Sequence, residues 1–352
     1  MSAVVEIKPV DSEFYESRIR DFVPGRIIDI HAHVWTAQQA APAEDPPARM
    51  VTWPRRVAAW NTIEDLLETY LLMLPGKSVT PLIFSNPTVA TDVHSLNAYT
   101  AEAAARKRLP ALLLARPEWS AGELEGKILA GGFCGVKVYL SYAPAGIRPA
   151  DIRIFDFLPR HQLQALDRRG LLVMLHIPRP GRLRDPANLA DLLEIERSFG
   201  GVRLVVAHVG RAYCIEDVGD AFDVLAETHK MCFDISANTN EEVFRRLIAA
   251  VGAERILFGT DMPISRMRLR RICEGGRYVN LVPRGLYGDV SGDRNMREID
   301  GPEAERLTFF MYEQIDAFRR AAQAEGLTHT DVENVFYGNS RRLLNGAIEG
   351  KS

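Results

Sequence analysis

Eight short apolar runs recur along this 352-residue chain, and helical patterns separate most of them. They are RIIDIH (26–31), VTPLIF (79–84), PALLLA (110–115), CGVKVYL (134–140), LLVMLH (171–176), RLVVAH (203–208), MCFDIS (231–236) and RILFGTD (255–261). Each is nearly continuous in apolar residues, as a strand buried on both faces should be. In the segment 61–76, Ile63, Leu66, Leu67, Tyr70 and Leu71 follow the i, i+3, i+4, i+7, i+8 helix pattern. Asn61 or Thr62 caps its start, and Pro75-Gly76 stops it. Segments 90–108, 152–169, 185–201, 216–228 and 240–252 read the same way. This alternation predicts an α/β fold, a closed (β/α)8 TIM barrel with its core at about 26–263, inside a single domain spanning 1–352. An open doubly wound sheet is the competitor, but no Gly-rich dinucleotide turn follows any strand.

Three segments exceed the bare barrel. A Pro/Ala-rich loop (36–60) follows the first strand, a long insertion (264–300) follows the eighth, and a helical tail occupies 303–346. The insertion is too long for an ordinary loop and reads as a lid or as part of a subunit interface. A net charge of -3 argues against nucleic acid, and no apolar run reaches the length of a membrane span. The N-terminus lacks an apolar signal core. Cys134, Cys214, Cys232 and Cys273 are far apart and form no CxxC pair, so the expectation is reduced, mostly buried thiols in a cytoplasmic protein. A homo-oligomer is the default assembly.

Barrel enzymes carry their chemistry at the C-terminal ends of the strands. Here the first strand ends in His31-Ala32-His33, the fifth in His176, the sixth in His208 and the eighth in Asp261, while the fourth carries Lys137 and Tyr139 on one face. Residues i and i+2 of a strand point to one side, so His31 and His33 leave it together. Singly, each position has a plain structural explanation, such as a core histidine or a turn cap. Jointly, four histidines and an aspartate at one level suit a divalent transition ion such as zinc. The other histidines, His94, His161, His229 and His329, fall in helices or loops and read as surface residues.

DIHAHVW, GFCGVKVYL, VMLHIP, LVVAHVG, ILFGTDMP and the closing VFYGNSRRLL (335–344) resemble the successive motifs of the amidohydrolase superfamily. More narrowly they resemble its amidohydrolase-related branch of metal-dependent hydrolases, lactonases and decarboxylases. The resemblance runs from about residue 26 to 344. It implies a metal held by His31, His33, His176 and Asp261, with His208 polarising substrate or helping to activate water. It leaves Lys137 open: either a substrate or carboxylate contact beside one ion, or a carbamylated bridge between two.

On that scaffold Asp261 takes a proton from water activated at the ion, and His208 stabilises the charge that develops on oxygen. The expectation is hydrolysis of an amide, lactone or ester of a small anionic substrate. Non-oxidative decarboxylation of an aromatic or dienoic acid is the alternative, and a non-catalytic metal-binding barrel is the rival from another class. Arg179 and Arg211 each lie three positions past a site histidine, and at least one is expected to hold a substrate carboxylate. Trp35 either walls the pocket or packs in the core.

Overall fold

The computed structural model describes residues 4–39, 53–87 and 92–349. Much of the loop expected at 36–60 and the start of the helix expected at 90–108 lie outside them. All eight anticipated strands are present: β1 (Arg26–His33), β2 (Ser78–Phe84), β3 (Leu113–Leu114), β4 (Gly135–Val138), β5 (Leu172–Leu175), β6 (Arg203–Val206), β7 (Cys232–Asp234) and β8 (Ile256–Leu257). β1 pairs with β2, and β3 to β8 pair consecutively, all in parallel. Two seams close the ring. Between β2 and β3, Ile83 bridges to Ala111. Between β8 and β1, the N–H of Ile30 donates to Phe258 O at 3.0 Å, Asp261 N–H to His31 O at 2.8 Å, and His33 N–H to Met262 O at 2.9 Å. The protein is a (β/α)8 barrel.

Burial on both faces has two separate sources. Ile28, Ile30, Leu82, Phe84, Leu172, Met174, Val205, Ala207 and Leu257 form one cluster, spaced two apart on the longer strands, and fill the lumen. A larger cluster between strands and helices takes the alternate residues, among them Ile27, Ile83, Val173 and Val206. Leu344, from the C-terminal helix Asn339–Glu349, joins the lumen cluster. Helix Ile63–Met73 is capped by Thr62, whose hydroxyl accepts from Asp65 N–H. Helix Ala121–Gly131 also stands between β3 and β4, capped by Ser120 and Glu123; the periodicity reading left that segment unassigned.

The insertion folds as a small sheet of its own. β9 (Arg270–Glu274) and β10 (Arg277–Pro283) form an antiparallel hairpin, and β11 (Met296–Ile299) adds in parallel to β10. Gly275 and Gly276 sit at φ 56° and 72°, the two positive values that a two-residue hairpin turn of this hand requires. Val282 and Met296 pack this sheet against Trp53, Ile264, Met267 and Phe310.

A disulfide joins Cys214, in the loop after β6, to Cys273 in β9. That corrects the expectation of four reduced thiols: Cys134 and Cys232 are the free ones. Folding brings together two residues 59 positions apart, which no local spacing could reveal. The thiol argument for a cytoplasmic setting loses its support, since such bonds are uncommon in reducing compartments. No helix among the described residues is long and apolar enough to cross a membrane.

Candidate metal centre

His31 and His33 reach the lumen through an irregularity in β1. The register with β2 shifts between Asp29 and Ala32. Before the shift, Ile28 and Ile30 face the lumen while Asp29 turns outward to Tyr70, whose hydroxyl donates to it at 2.5 Å. After the shift, His31 and His33 line the cavity while Ala32 and Val34 join the outer core. Two successive residues, Ile30 and His31, therefore face inward, as at a β-bulge. Asp29 pins this irregularity by accepting the N–H groups of His31 and Thr260, each at 2.9 Å. Burial lifts its carboxyl to about 6 despite the hydrogen bonds from Thr260, Tyr70 and His31.

Asp261 is the hub of the cavity. Its Oδ1 lies 2.9 Å from His33 Nε2 and 3.5 Å from His31 Nε2, and its Oδ2 lies 4.0 Å from His208 Nε2. One ligand atom from each of His31, His208 and Asp261 can be chosen so that all lie within 4.8 Å of one another. Burial favours a neutral carboxyl, but the histidines His208, His33 and His31 overcome it and hold Asp261 at about 2. Burial, with Lys137 nearby, depresses His31 to about 3. His176 and His208 are lowered for the same leading reason. Near neutral pH the Asp261 carboxylate is thus ionised while His31, His176 and His208 are neutral imidazoles, the protonation states that ligate a cation.

The remaining ring nitrogens show which face of each imidazole is committed to the protein. His31 Nδ1 lies 2.9 Å from Asp234 Oδ2, His208 Nδ1 lies 2.8 Å from Ser236 Oγ, and Tyr139 Oη lies 3.4 Å from His33 Nδ1. The carboxylate–histidine pair of Asp234 and His31 fixes the tautomer that leaves Nε2 free. His176 differs: its buried Nδ1 has no hydrogen-bond partner among the described residues. A buried ring nitrogen without a hydrogen-bond partner is unfavourable. Among the described residues the ligand atoms that converge within 4.8 Å belong to His31, His208 and Asp261, two imidazoles and a carboxylate that suit a divalent transition ion, while His33 and His176 line the same cavity outside that group.

His208 opens a left-handed turn. His208, Val209, Gly210 and Arg211 have φ of 56°, 51°, 58° and 59°. That conformation costs about 1–2 kcal/mol for each non-glycine residue, and it is held at both ends. Asp234 Oδ1 accepts His208 N–H at 2.9 Å, and Arg211 Nη1 donates to the carbonyls of Ile177, Pro178 and Arg179 at 3.2–3.4 Å. Strain of this kind gathers at functional sites.

Of the expected site residues, His31, His33, His176, His208, Asp261 and Lys137 all line one open cavity. Lys137 is buried, with Nζ 5.1 Å from the ring centroids of Phe84 and Tyr139, and burial lowers its ammonium to about 8. Arg179, Arg211 and Trp35 do not line it. Arg211 braces the left-handed turn, and Arg179 Nε lies 3.3 Å from Asp185. Trp35 packs with Leu96 and Leu114, its indole N–H donating to Ala59 O, so of its two readings the structure carries the core one. The sequence reading missed Asp234 and Ser236, although MCFDIS obeys the same strand-end rule. It counted Arg271 only among the arginines that follow Asp261, without a role, and it missed Tyr278; both reach the cavity from the insertion. His94, His161, His229 and His329 are exposed.

A family model described as Amidohydrolase matches residues 28–270. Solved structures share the fold at low identity. Amidohydrolase 2 from Bifidobacterium longum subsp. infantis is 16% identical over 92% of this chain and 99% of its own, with a TM-score of 0.54. A probable 2-pyrone-4,6-dicarboxylic acid hydrolase from Acinetobacter baumannii, with citric acid bound, is 15% identical over 91% of this chain and 99% of its own, TM-score 0.56. A dihydroxybenzoic acid decarboxylase from a Polaromonas species, with bound manganese and 2-nitroresorcinol, is 15% identical over 92% and 97%, TM-score 0.52. No curated protein matches the chain by sequence.

Proposed function

This chain belongs to the amidohydrolase family, and on that premise we propose that it is a metal-dependent hydrolase of a small anionic carbonyl compound, an amide, lactone or ester. The observation that carries the proposal is Asp261, an ionised carboxylate set among His31, His33 and His208 in the cavity. One divalent ion, zinc by ligand type, would be held by His31, His33, His176 and Asp261, with His208 alongside. When bound, it supplies Lewis acidity that polarises a carbonyl and acidifies water. Asp261 receives the proton from water and returns it to the leaving group. His208 Nε2 faces the cavity, because Nδ1 is engaged by Ser236, and it meets the charge developing on the carbonyl oxygen. Lys137 orients the substrate's anionic group from the lumen side.

A second reading rests on the same lysine. Lys137 is buried among Phe84 and Tyr139, with no carboxylate within ion-pair distance among the described residues. A proton on such an amine is easily given up, which suits protonation of a ring carbon in non-oxidative decarboxylation. The test is turnover by zinc- and manganese-loaded protein on a panel of lactones, amides and hydroxylated aromatic acids, with CO2 release followed beside hydrolysis. Hydrolysis abolished by Asp261→Asn supports the first reading, and CO2 release abolished by Lys137→Met supports the second. No turnover on either class would favour a non-catalytic metal-binding barrel.

A further inference from the structure

Three of the arginines that follow the site strands are neutralised by carboxylates. Arg182 is paired with Asp217 at 2.5 Å, Arg268 with Asp11 at 2.6 Å, and Arg179 with Asp185 at 3.3 Å. Arg271 differs from all three. It lines the cavity of the metal centre and pairs with no carboxylate among the described residues. Its Nε donates to Asn280 Oδ1 at 2.8 Å and its Nη1 to Ala237 O at 2.5 Å, which fixes the guanidinium plane. Its Nη2 has no described partner. The guanidinium carbon sits 4.7 Å from the ring centroid of Tyr213 and 4.5 Å from that of Tyr278.

Aromatic walls stabilise the cation and keep water from screening it, so an anion reaching its free edge is held strongly. A half-buried cation without a counter-charge is also unfavourable in itself, and a bound anion would relieve that. Burial already works against the charged form of Arg271. The hairpin that carries Arg271 and Tyr278 is tied down beside it. Cys273 lies two residues along β9, directly opposite Tyr278, and is bonded to Cys214, the neighbour of Tyr213. The disulfide thus holds the two walls of one subsite against each other.

We propose that Arg271, walled by Tyr213 and Tyr278, is a distal anion subsite, and that the substrate is a planar conjugated acid with two anionic groups, one at the metal centre and one at Arg271. This rests on the reading of the His31–Asp261 cluster as the metal centre. The tyrosines favour a flat ring or diene over a flexible aliphatic chain. The role assigns to the insertion the function of a specificity element, and it replaces Arg179 and Arg211 as the carboxylate binder.

The test uses zinc-loaded full-length protein and calorimetric titration with benzoate, isophthalate and terephthalate. A charge-assisted contact predicts that at least one dicarboxylate binds about 10- to 100-fold tighter than benzoate. Arg271→Met is expected to erase that preference, with benzoate affinity and zinc content unchanged; Arg271→Lys retains part of it. His176→Ala, which weakens the metal centre, is expected to weaken the acids together and leave the preference in place, so the two ideas fail separately. Dicarboxylates that bind the wild type no tighter than benzoate would overturn the subsite. So would a preference that survives in a folded Arg271→Met protein.

Discussion

Replacing Asp234 by asparagine separates the ligand set from the groups that orient it. The carboxylate accepts from His208 N–H at 2.9 Å and Ser236 N–H at 3.0 Å through Oδ1, and it faces His31 Nδ1 at 2.9 Å through Oδ2. Asparagine keeps the shape and the carbonyl, so the backbone bonds to His208 and Ser236 persist. The change falls on His31. An amide NH2 now faces Nδ1 and favours the tautomer with its proton on Nε2, the nitrogen that points to Asp261. Metal binding must reverse that choice and leave two donors face to face. Loss of such an orienting partner costs about 10- to 100-fold in metal affinity, or about 1.4–2.7 kcal/mol. Competition between metal-free protein and a zinc chelator of known affinity measures the loss, and thermal melts followed by circular dichroism check the fold. Asp234→Ala is expected to lower the melting temperature further, because it strands the two buried N–H groups. Wild-type zinc affinity in a folded Asp234→Asn protein would refute this reasoning.

Gly259→Ala places a methyl carbon 2.9 Å from His31 Cβ and 3.3 Å from Ile30 Cγ2. Overpacking of this kind costs about 1–3 kcal/mol, so a lower melting temperature and reduced zinc retention are expected; normal values for both would contradict the packing described. Unfolded protein without reductant should show two reactive thiols, Cys134 and Cys232, and reduced protein four; four in both would remove the cross-link. Burial raises the Cys232 thiol from 9.0 to about 11. Below pH 9 it is protonated whether the chain is folded or unfolded, and between 9 and 11 only the folded chain keeps the proton. Its contribution therefore makes unfolding easier as pH rises through that window. Denaturant melts should show wild type losing stability relative to Cys232→Ala between pH 9 and 11; a constant difference would count against the shift.

The barrel was legible because its strands are buried on both faces, which turns each into an apolar run with a polar residue at its end. The pair His31 and His33 was legible because alternation places them together. What alternation could not show is the register shift at Asp29–Ala32, without which His31 would share the outward face of Asp29. Asp234 was visible by the rule that exposed His176 and His208, yet a search led by histidines passed over it. Arg211 was misread for a conformational reason: distance along the chain placed it near the site, but the left-handed turn sends its side chain back to the carbonyls of 177–179. Arg271, Tyr278 and the Cys214–Cys273 bond depend on how the insertion folds back over the barrel mouth. Those contacts are non-local and leave no periodic trace.

Metal content per chain tests the central claim most directly. Protein reconstituted with zinc and bicarbonate, dialysed and analysed by mass spectrometry, is predicted to retain about one ion per chain, and His176→Ala much less. About two ions would contradict the single-ion assignment and point to a carbamylated Lys137. No retained ion would contradict the account at its root, leaving the orphaned Nδ1 of His176 and the histidines gathered around Asp261 without a chemical purpose.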